Sequence, residues 1–320
     1  MSQLAFEQYA AEMFQLYERG QYAAAYDWIT SQANLFPANA ARVYYWRICL
    51  AARTGQMADS LQILEAALAG GYWFDVDQLR QDPDLAPLQG LAGFESRVAI
   101  CRERAAQAQA GSKPGLVVLT PDPAGEPWPL LLALHGHGIN LDLFEDRFLR
   151  YWRAAAAAGW LVAAPQSAHL TAPDSRGWSD YKRATAEIQA HLEWLNQKYR
   201  VDSSRVVVGG FSRGAELAAV LALGGAVAAR GFLAVAQGGP VSADPARWQA
   251  LIDGSSRRPR GYLVAGEADP ISLRSARALL GVLESNALAG AIEVHPNLKH
   301  DFPPEFELSL AAALKFILGN

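Results

Sequence analysis

Ser212 stands in Gly209-Gly210-Phe211-Ser212-Arg213-Gly214, after the β-branched run Val206 to Val208 and before the helix-forming run Ala215 to Leu223. The core reads G-x-S-x-G, with Gly210, Ser212 and Gly214 in the fixed places. A serine hydroxyl is a nucleophile at neutral pH only with a base in hydrogen-bond reach, an orienting carboxylate and donors for an oxyanion. A strand, a sharp turn and a helix would present Ser212 for that role. Glycines are needed two residues either side, because a Cβ there would strike the neighbouring strand or helix. The same pattern also fits a turn whose serine only caps the helix.

The other parts are sought at the ends of other strands. Among six histidines, His300 lies in Leu298-Lys299-His300-Asp301-Phe302-Pro303, after the last expected strand and before the final helix, and is the expected base. His295 ends that strand and is expected to point into packing. His169 could edge the site, and His191 sits mid-helix. The orienting carboxylate is expected to be Asp269, in Gly266-Glu267-Ala268-Asp269-Pro270 after the strand Tyr262 to Ala265. Pro270 suits the first position of a following helix. Glu267 competes, but reads better as a pocket-rim or solvated residue. The order Ser212, Asp269, His300 is the serine–acid–histidine order of one known triad arrangement. After the apolar strand Leu130 to Leu134 comes His135-Gly136-His137-Gly138, and the backbone N–H groups of His137 and Arg213 are the expected oxyanion donors. A metal-binding histidine pair is the competing reading of this turn. No Cys or Glu cluster matches it, so no metal and no cofactor are expected. His135, Gly136 and Gly138 are candidate pocket residues. So are Trp178 and Tyr181, from the aperiodic stretch Pro165 to Tyr181, where they either shape a pocket or anchor the loop.

These residues need elements that place them on one edge. Strands are expected at Leu116 to Leu119, Leu130 to Leu134, Leu161 to Ala164, Val206 to Val208, Phe232 to Ala236, Tyr262 to Ala265 and Ile292 to His295. A turn falls at Asp122 to Glu126. Helices are expected at Leu143 to Ala158 and Asp180 to Tyr199. Strands that are apolar throughout are buried on both faces, as in a mostly parallel, doubly wound α/β sheet. Right-handed crossovers then bring the functional loops to its carboxyl edge.

Residues 1–111 differ in character and are assigned to an all-α helical-hairpin domain, with residues 112–320 as the catalytic domain. Apolar residues recur there at helical spacing, as in Phe6, Tyr9, Met13 and Leu16. Arg19-Gly20-Gln21 returns as Thr54-Gly55-Gln56, 35 residues later. Residues 4 to 71 loosely resemble tetratricopeptide repeats. A generic helical bundle is the alternative. A further helix is expected from Phe94 to Gln109. Two repeats are few, so this array is expected to pack on something: the catalytic domain, a protein partner or a second copy.

Lys and Arg number 28 against 32 Asp and Glu, a net charge of −4, so no basic field invites nucleic acid. Cys49 and Cys101 fall in helix-like segments and read as reduced buried thiols. The start, MSQLAFEQYAAEMF, lacks the basic and apolar regions of a secretory signal, and no apolar run is long enough to span a membrane. A cytoplasmic location is expected.

Residues 115 to 320 resemble an α/β-hydrolase of the carboxylesterase, phospholipase and dienelactone-hydrolase type, through LLLALHGHG, LVAAPQS, VVVGGFSRG, LVAGEADP and LKHDFP. The resemblance implies an α/β-hydrolase fold, Ser212, Asp269 and His300 as triad, and hydrolysis of a small carboxylic ester. A serine peptidase of the same fold, and an interaction protein acting through the helical repeats, are the alternatives. Two features depart from the family. Few strands precede the His135 turn. Arg213 replaces the usual small or uncharged residue, and its guanidinium would either bind a substrate carboxylate or pair with a nearby acid.

Overall fold

The computed structural model describes residues 3–121, 125–239 and 241–319. Of the turn expected at 122–126, residues 122–124 lie outside the described residues. The chain divides into two compact units, one of Met1–Ser112 with Leu170–Asp174, the other of Lys113–His169 with Ser175–Asn320.

The first unit is helical: α1 (Gln3–Glu18), α2 (Tyr22–Ser31), α3 (Ala40–Arg53), α4 (Met57–Ala69), α5 (Val76–Gln81) and α6 (Ala92–Gly111). The repeated glycines end helices in the same way. Gly20 (φ 72°) and Gly55 (φ 80°) take the left-handed conformation. At the first, Gly20 N–H donates to Tyr17 O and Gln21 N–H to Leu16 O; at the second, Gly55 N–H donates to Ala52 O and Gln56 N–H to Ala51 O. That pairing satisfies carbonyls the helix leaves open, and a Cβ would resist the positive φ. The small residues of the two repeats, Ala25 and Ser60, are fully buried. The Ser60 hydroxyl donates to Ile48 O at 2.8 Å, so the polar substitute is satisfied. Both cysteines are buried free thiols. The short segment 170–174 groups with this unit because its backbone finds partners there: Asp75 N–H donates to Thr171 O at 3.0 Å, and Leu170 N–H to Gln109 Oε1 at 3.1 Å.

The second unit is a seven-stranded sheet. Its strands are β1 (Gly115–Leu119), β2 (Trp128–Leu134), β3 (Leu161–Gln166), β4 (Val201–Phe211), β5 (Gly231–Val235), β6 (Arg260–Gly266) and β7 (Gly290–His295), in spatial order β1-β3-β2-β4-β5-β6-β7. β1 is antiparallel to β3 and every other pairing is parallel. The helices are α7 (Tyr181–Lys198), α8 (Arg213–Leu223), α9 (Pro245–Asp253), α10 (Pro270–Ser285) and α11 (Phe306–Leu318). Strand alternation builds a core on each face. Leu130, Leu132 and Leu134 pack with Ile188, Leu195 and Leu279. Leu131 and Ala133 point the other way, to Trp152, Phe306 and Leu310. This explains why β2 is apolar at every position and buried throughout.

One expectation is corrected. Leu143 to Ala158 is not a single helix: short helical turns at Phe144–Arg147 and Arg153–Ala157 are joined by a tighter turn at Leu149–Trp152. Phe148 leaves the helical region, at φ −138° and ψ −58°. Its ring lies among Phe144, Trp152 and Phe302, and this packing outweighs the local helix preference.

β2 and β4 are neighbours, with Leu134 opposite Gly210. Chain order reverses around β2, which puts the loops after β2 and β4 at a switch point on the carboxyl edge.

Candidate active site

Ser212 sits between the end of β4 and the start of α8, with φ 54° and ψ −118°. Few non-glycine residues hold a positive φ, and an observed outlier of this kind marks stored strain. Its glycines are there for space. A Cβ on Gly210 would lie 2.3 Å from Gly214 O, and one on Gly214 would lie 2.2 Å from Leu134 O. The turn is pinned by Ser212 N–H donating to Val235 O at 2.9 Å.

Two further strand ends meet this serine. His300 Nε2 is 2.9 Å from Ser212 Oγ, and His300 Nδ1 is 2.6 Å from Asp269 Oδ2. With Nδ1–H given to the carboxylate, Nε2 is left to accept the serine proton, a tautomer assigned from the network. Asp269 caps α10, accepting Ser272 N–H at 3.1 Å and the Ser272 hydroxyl at 2.5 Å. Burial would raise its pKa, but hydrogen bonds from His300 and Ser272 outweigh that and hold it below the usual aspartate value. The two loops are stitched together by Glu267 N–H to His295 O and Ala268 N–H to Leu298 O. Gly266 allows this approach, since a Cβ there would lie 2.0 Å from Leu298 O.

Of the turn after β2, Gly136 runs against the serine: its Cβ would lie 3.1 Å from the Phe211 ring and 3.5 Å from Ser212 Cβ. His137 is exposed, and Gly138 turns the chain at φ 74°. His135 and Trp178 are both buried, at 0 % and 1 % exposure. Their rings stack at 4.7 Å, and Trp178 Nε1–H donates to His135 O at 2.8 Å. His135 Nδ1 lies 2.7 Å from Gly136 O, and its Nε2 accepts Ser167 N–H at 3.2 Å. Burial pushes the imidazole down to about 3, so it is neutral and serves to brace the turn. Tyr181 donates its hydroxyl to Glu216 Oε1, and burial followed by the Glu216 charge raises its pKa. The Arg213 guanidinium faces the same carboxylate, Nη1 to Oε1 at 4.0 Å, which is the acid-pairing alternative for this residue.

The remaining histidines lie elsewhere in the chemistry. His295 Nε2 is 2.7 Å from Glu293 Oε1. His191 is half-buried, and burial lowers its pKa. His169 is half-buried, and Glu267 is exposed. Sequence reasoning passed over Ser272 and Glu216. Glu216 left a signal, as the one charge inside the apolar run Ala215 to Leu223. Ser272 left the weaker one of a small polar residue three places after an expected helix cap.

A mostly parallel sheet whose central strand ends in a glycine-flanked serine, with an acid and a histidine at later strand ends, defines an α/β-hydrolase. The chain has the α/β-hydrolase fold. A family model for the A/B hydrolase-like N-terminal domain matches residues 5–109, and one for chlorophyllase matches residues 94–250. The tetratricopeptide likeness of residues 4 to 71 is therefore not what the family model finds there. An uncharacterized protein from Bacillus cereus is 26 % identical, with 99 % of each chain covered and a TM-score of 0.53. An S-formylglutathione hydrolase from Agrobacterium tumefaciens is 19 % identical over 65 % of this chain and 90 % of its own, with a TM-score of 0.51. Est1E from Butyrivibrio proteoclasticus is 13 % identical over 65 % and 95 %, also at 0.51. The last two share the fold. No curated protein matches the chain in sequence. Among the described residues no helix is long and apolar enough to cross a membrane.

Proposed function

We propose that the protein is a serine hydrolase of small carboxylic esters, with Ser212, His300 and Asp269 as its triad. The observation that carries this reading is the relay of 2.9 Å from Ser212 Oγ to His300 Nε2 and 2.6 Å from His300 Nδ1 to Asp269 Oδ2. Ser212 Oγ attacks the ester carbonyl as its proton passes to His300 Nε2. Asp269 holds the imidazole in the useful tautomer and stabilises its protonated form. The backbone N–H groups of His137 and Arg213 bind the oxyanion of the tetrahedral intermediate. Collapse breaks the bond to the alkoxy group, which leaves as the alcohol with the proton from His300. Water then attacks the acyl-serine, giving its proton to His300, and the acid departs as Ser212 recovers its hydrogen. The helical unit is proposed to dock a protein partner or a second copy, which sedimentation of the full chain tests.

Labelling with a fluorophosphonate, beside turnover of p-nitrophenyl esters from acetate to decanoate and of a peptide anilide, tests the reading. Labelling at Ser212 and ester turnover lost in Ser212→Ala are expected. Ester turnover retained by that variant would overturn the mechanism, and faster cleavage of the anilide would make the protein a peptidase.

A further inference from the structure

Glu216 is fully buried on α8, four residues after Ser212. A buried carboxylate is costly unless its lone pairs are filled, so its partners indicate what holds it there. Oε2 accepts Val241 N–H at 3.0 Å, Ser242 N–H at 2.6 Å and the Ser242 hydroxyl at 2.5 Å. Oε1 accepts the Tyr181 hydroxyl and faces Arg213 Nη1. The direction of the Ser242 hydroxyl is set. Gln237 Nε2 donates into its oxygen at 3.3 Å, so the single proton goes to Glu216. The turn closes tightly over the carboxylate, since a Cβ on Gly239 would lie 2.5 Å from it. The same turn borders the nucleophile. Gly238 N–H donates to Ser212 O at 3.3 Å, and a Cβ on Gly238 would lie 3.9 Å from Ser212 Oγ.

One carboxylate thus ties the residue that follows the serine, residues 239, 241 and 242, and the first residue of α7. We infer that Glu216 is a positioning residue: it fixes Arg213 and residues 237–239 and 241–242 about Ser212, and so keeps the Arg213 backbone donor aimed at the oxyanion. The inference rests on the ester-hydrolase reading. It predicts an effect on the chemical step, because displacing preorganised groups by about 1 Å costs on the order of 10²-fold in rate. A role in stability alone would lower the fraction of folded enzyme and leave each folded site equally fast.

The test uses the full chain as Glu216→Ala, Glu216→Gln and Ser242→Ala, with kcat and KM for p-nitrophenyl acetate expressed per fluorophosphonate-labelled site. For Glu216→Ala, kcat per site should fall about 10²-fold, with KM within about threefold of the parent. Glu216→Gln keeps one oxygen for the turn but turns an amide toward Arg213, and should lose about tenfold. Ser242→Ala removes one of the three donors to Oε2 and should lose less. Equal kcat per labelled site in Glu216→Gln and Ser242→Ala would overturn the inference, as would losses confined to the labelled fraction or the melting temperature. Those two variants decide the matter where Glu216→Ala does not fold. An unlabelled parent enzyme, or a Ser212→Ala variant with full turnover, would instead overturn the underlying ester-hydrolase reading, and is seen before any Glu216 variant is made.

Discussion

The Ser272 hydroxyl donates to Asp269 Oδ2 at 2.5 Å, the same oxygen that faces His300 Nδ1 at 2.6 Å. Ser272 Oγ is itself 3.2 Å from His300 Nδ1. The carboxylate is therefore held from two sides, and its direction toward the imidazole is set by its place at the cap of α10. In Ser272→Ala the backbone donor remains and the hydroxyl is lost. A deficit of about 1 kcal/mol in hydrogen bonding corresponds to roughly a fivefold fall in kcat. Steady-state kinetics with KM unchanged would bear this out, and an unaltered kcat would count against it.

Asp269→Asn tests the acid more severely. An amide keeps the shape but presents the wrong partner to Nδ1–H, and in serine triads this change lowers kcat by about 10⁴-fold. The aspartate also carries a pH signature. Its folded pKa is depressed, so the stability it contributes is present above the unfolded value and is lost as pH falls through the folded one. Asp269→Asn should therefore show a shallower loss of stability below about pH 4 than the parent. Parallel acid unfolding curves would refute this.

His135 acts over a higher pH range. Burial lowers its pKa from 6.5 to about 3. Between those values the unfolded chain binds a proton that the folded one refuses, so stability present above pH 6.5 is lost as pH falls toward 3. The slope for one such group is about 1.4 kcal/mol per pH unit. His191, also pushed down by burial, adds in the same direction. Urea unfolding at a series of pH values checks the slope. The His135 ring resonances should stay untitrated until the protein unfolds.

Two glycine replacements should fail for different reasons. Gly214→Ala sets a Cβ 2.2 Å from Leu134 O and 2.4 Å from His135 O. Backbone must shift at the serine turn, at a cost of about 3 kcal/mol together with loss of turnover. Gly55→Ala meets nothing within 4 Å but keeps φ at 80°, so only local strain of about 1–2 kcal/mol is expected. Denaturant midpoints and ester kinetics on both variants separate clash from strain. Retained activity in Gly214→Ala would mean that the turn tolerates displacement.

Most of the sheet was legible. Val206 to Val208, Phe232 to Ala236 and Tyr262 to Ala265 each lie within or within one residue of an observed strand, because a strand buried on both faces has to be apolar at every position. The strand before Ser212 is longer than it reads, beginning at Val201, which faces Trp128 across a register shift before regular pairing starts at Val206; the polar run 202–205 between them carries no apolar pattern to mark it. The break at Phe148 and the burial of His135 and Trp178 were not legible. Both depend on aromatic neighbours from other parts of the chain, such as Phe302 beside Phe148.

By itself the sequence determined which residues stand at strand ends and in what order. It also determined that glycines stand two residues either side of the serine, because local spacing and backbone sterics act over a few residues. Only the tertiary structure decided that Ser212, His300 and Asp269 meet within hydrogen-bond distance and that Ser272 braces the acid. Only it turned Arg213 and Tyr181 toward Glu216. Those are distances between segments up to 88 residues apart, fixed by how seven strands register beside one another.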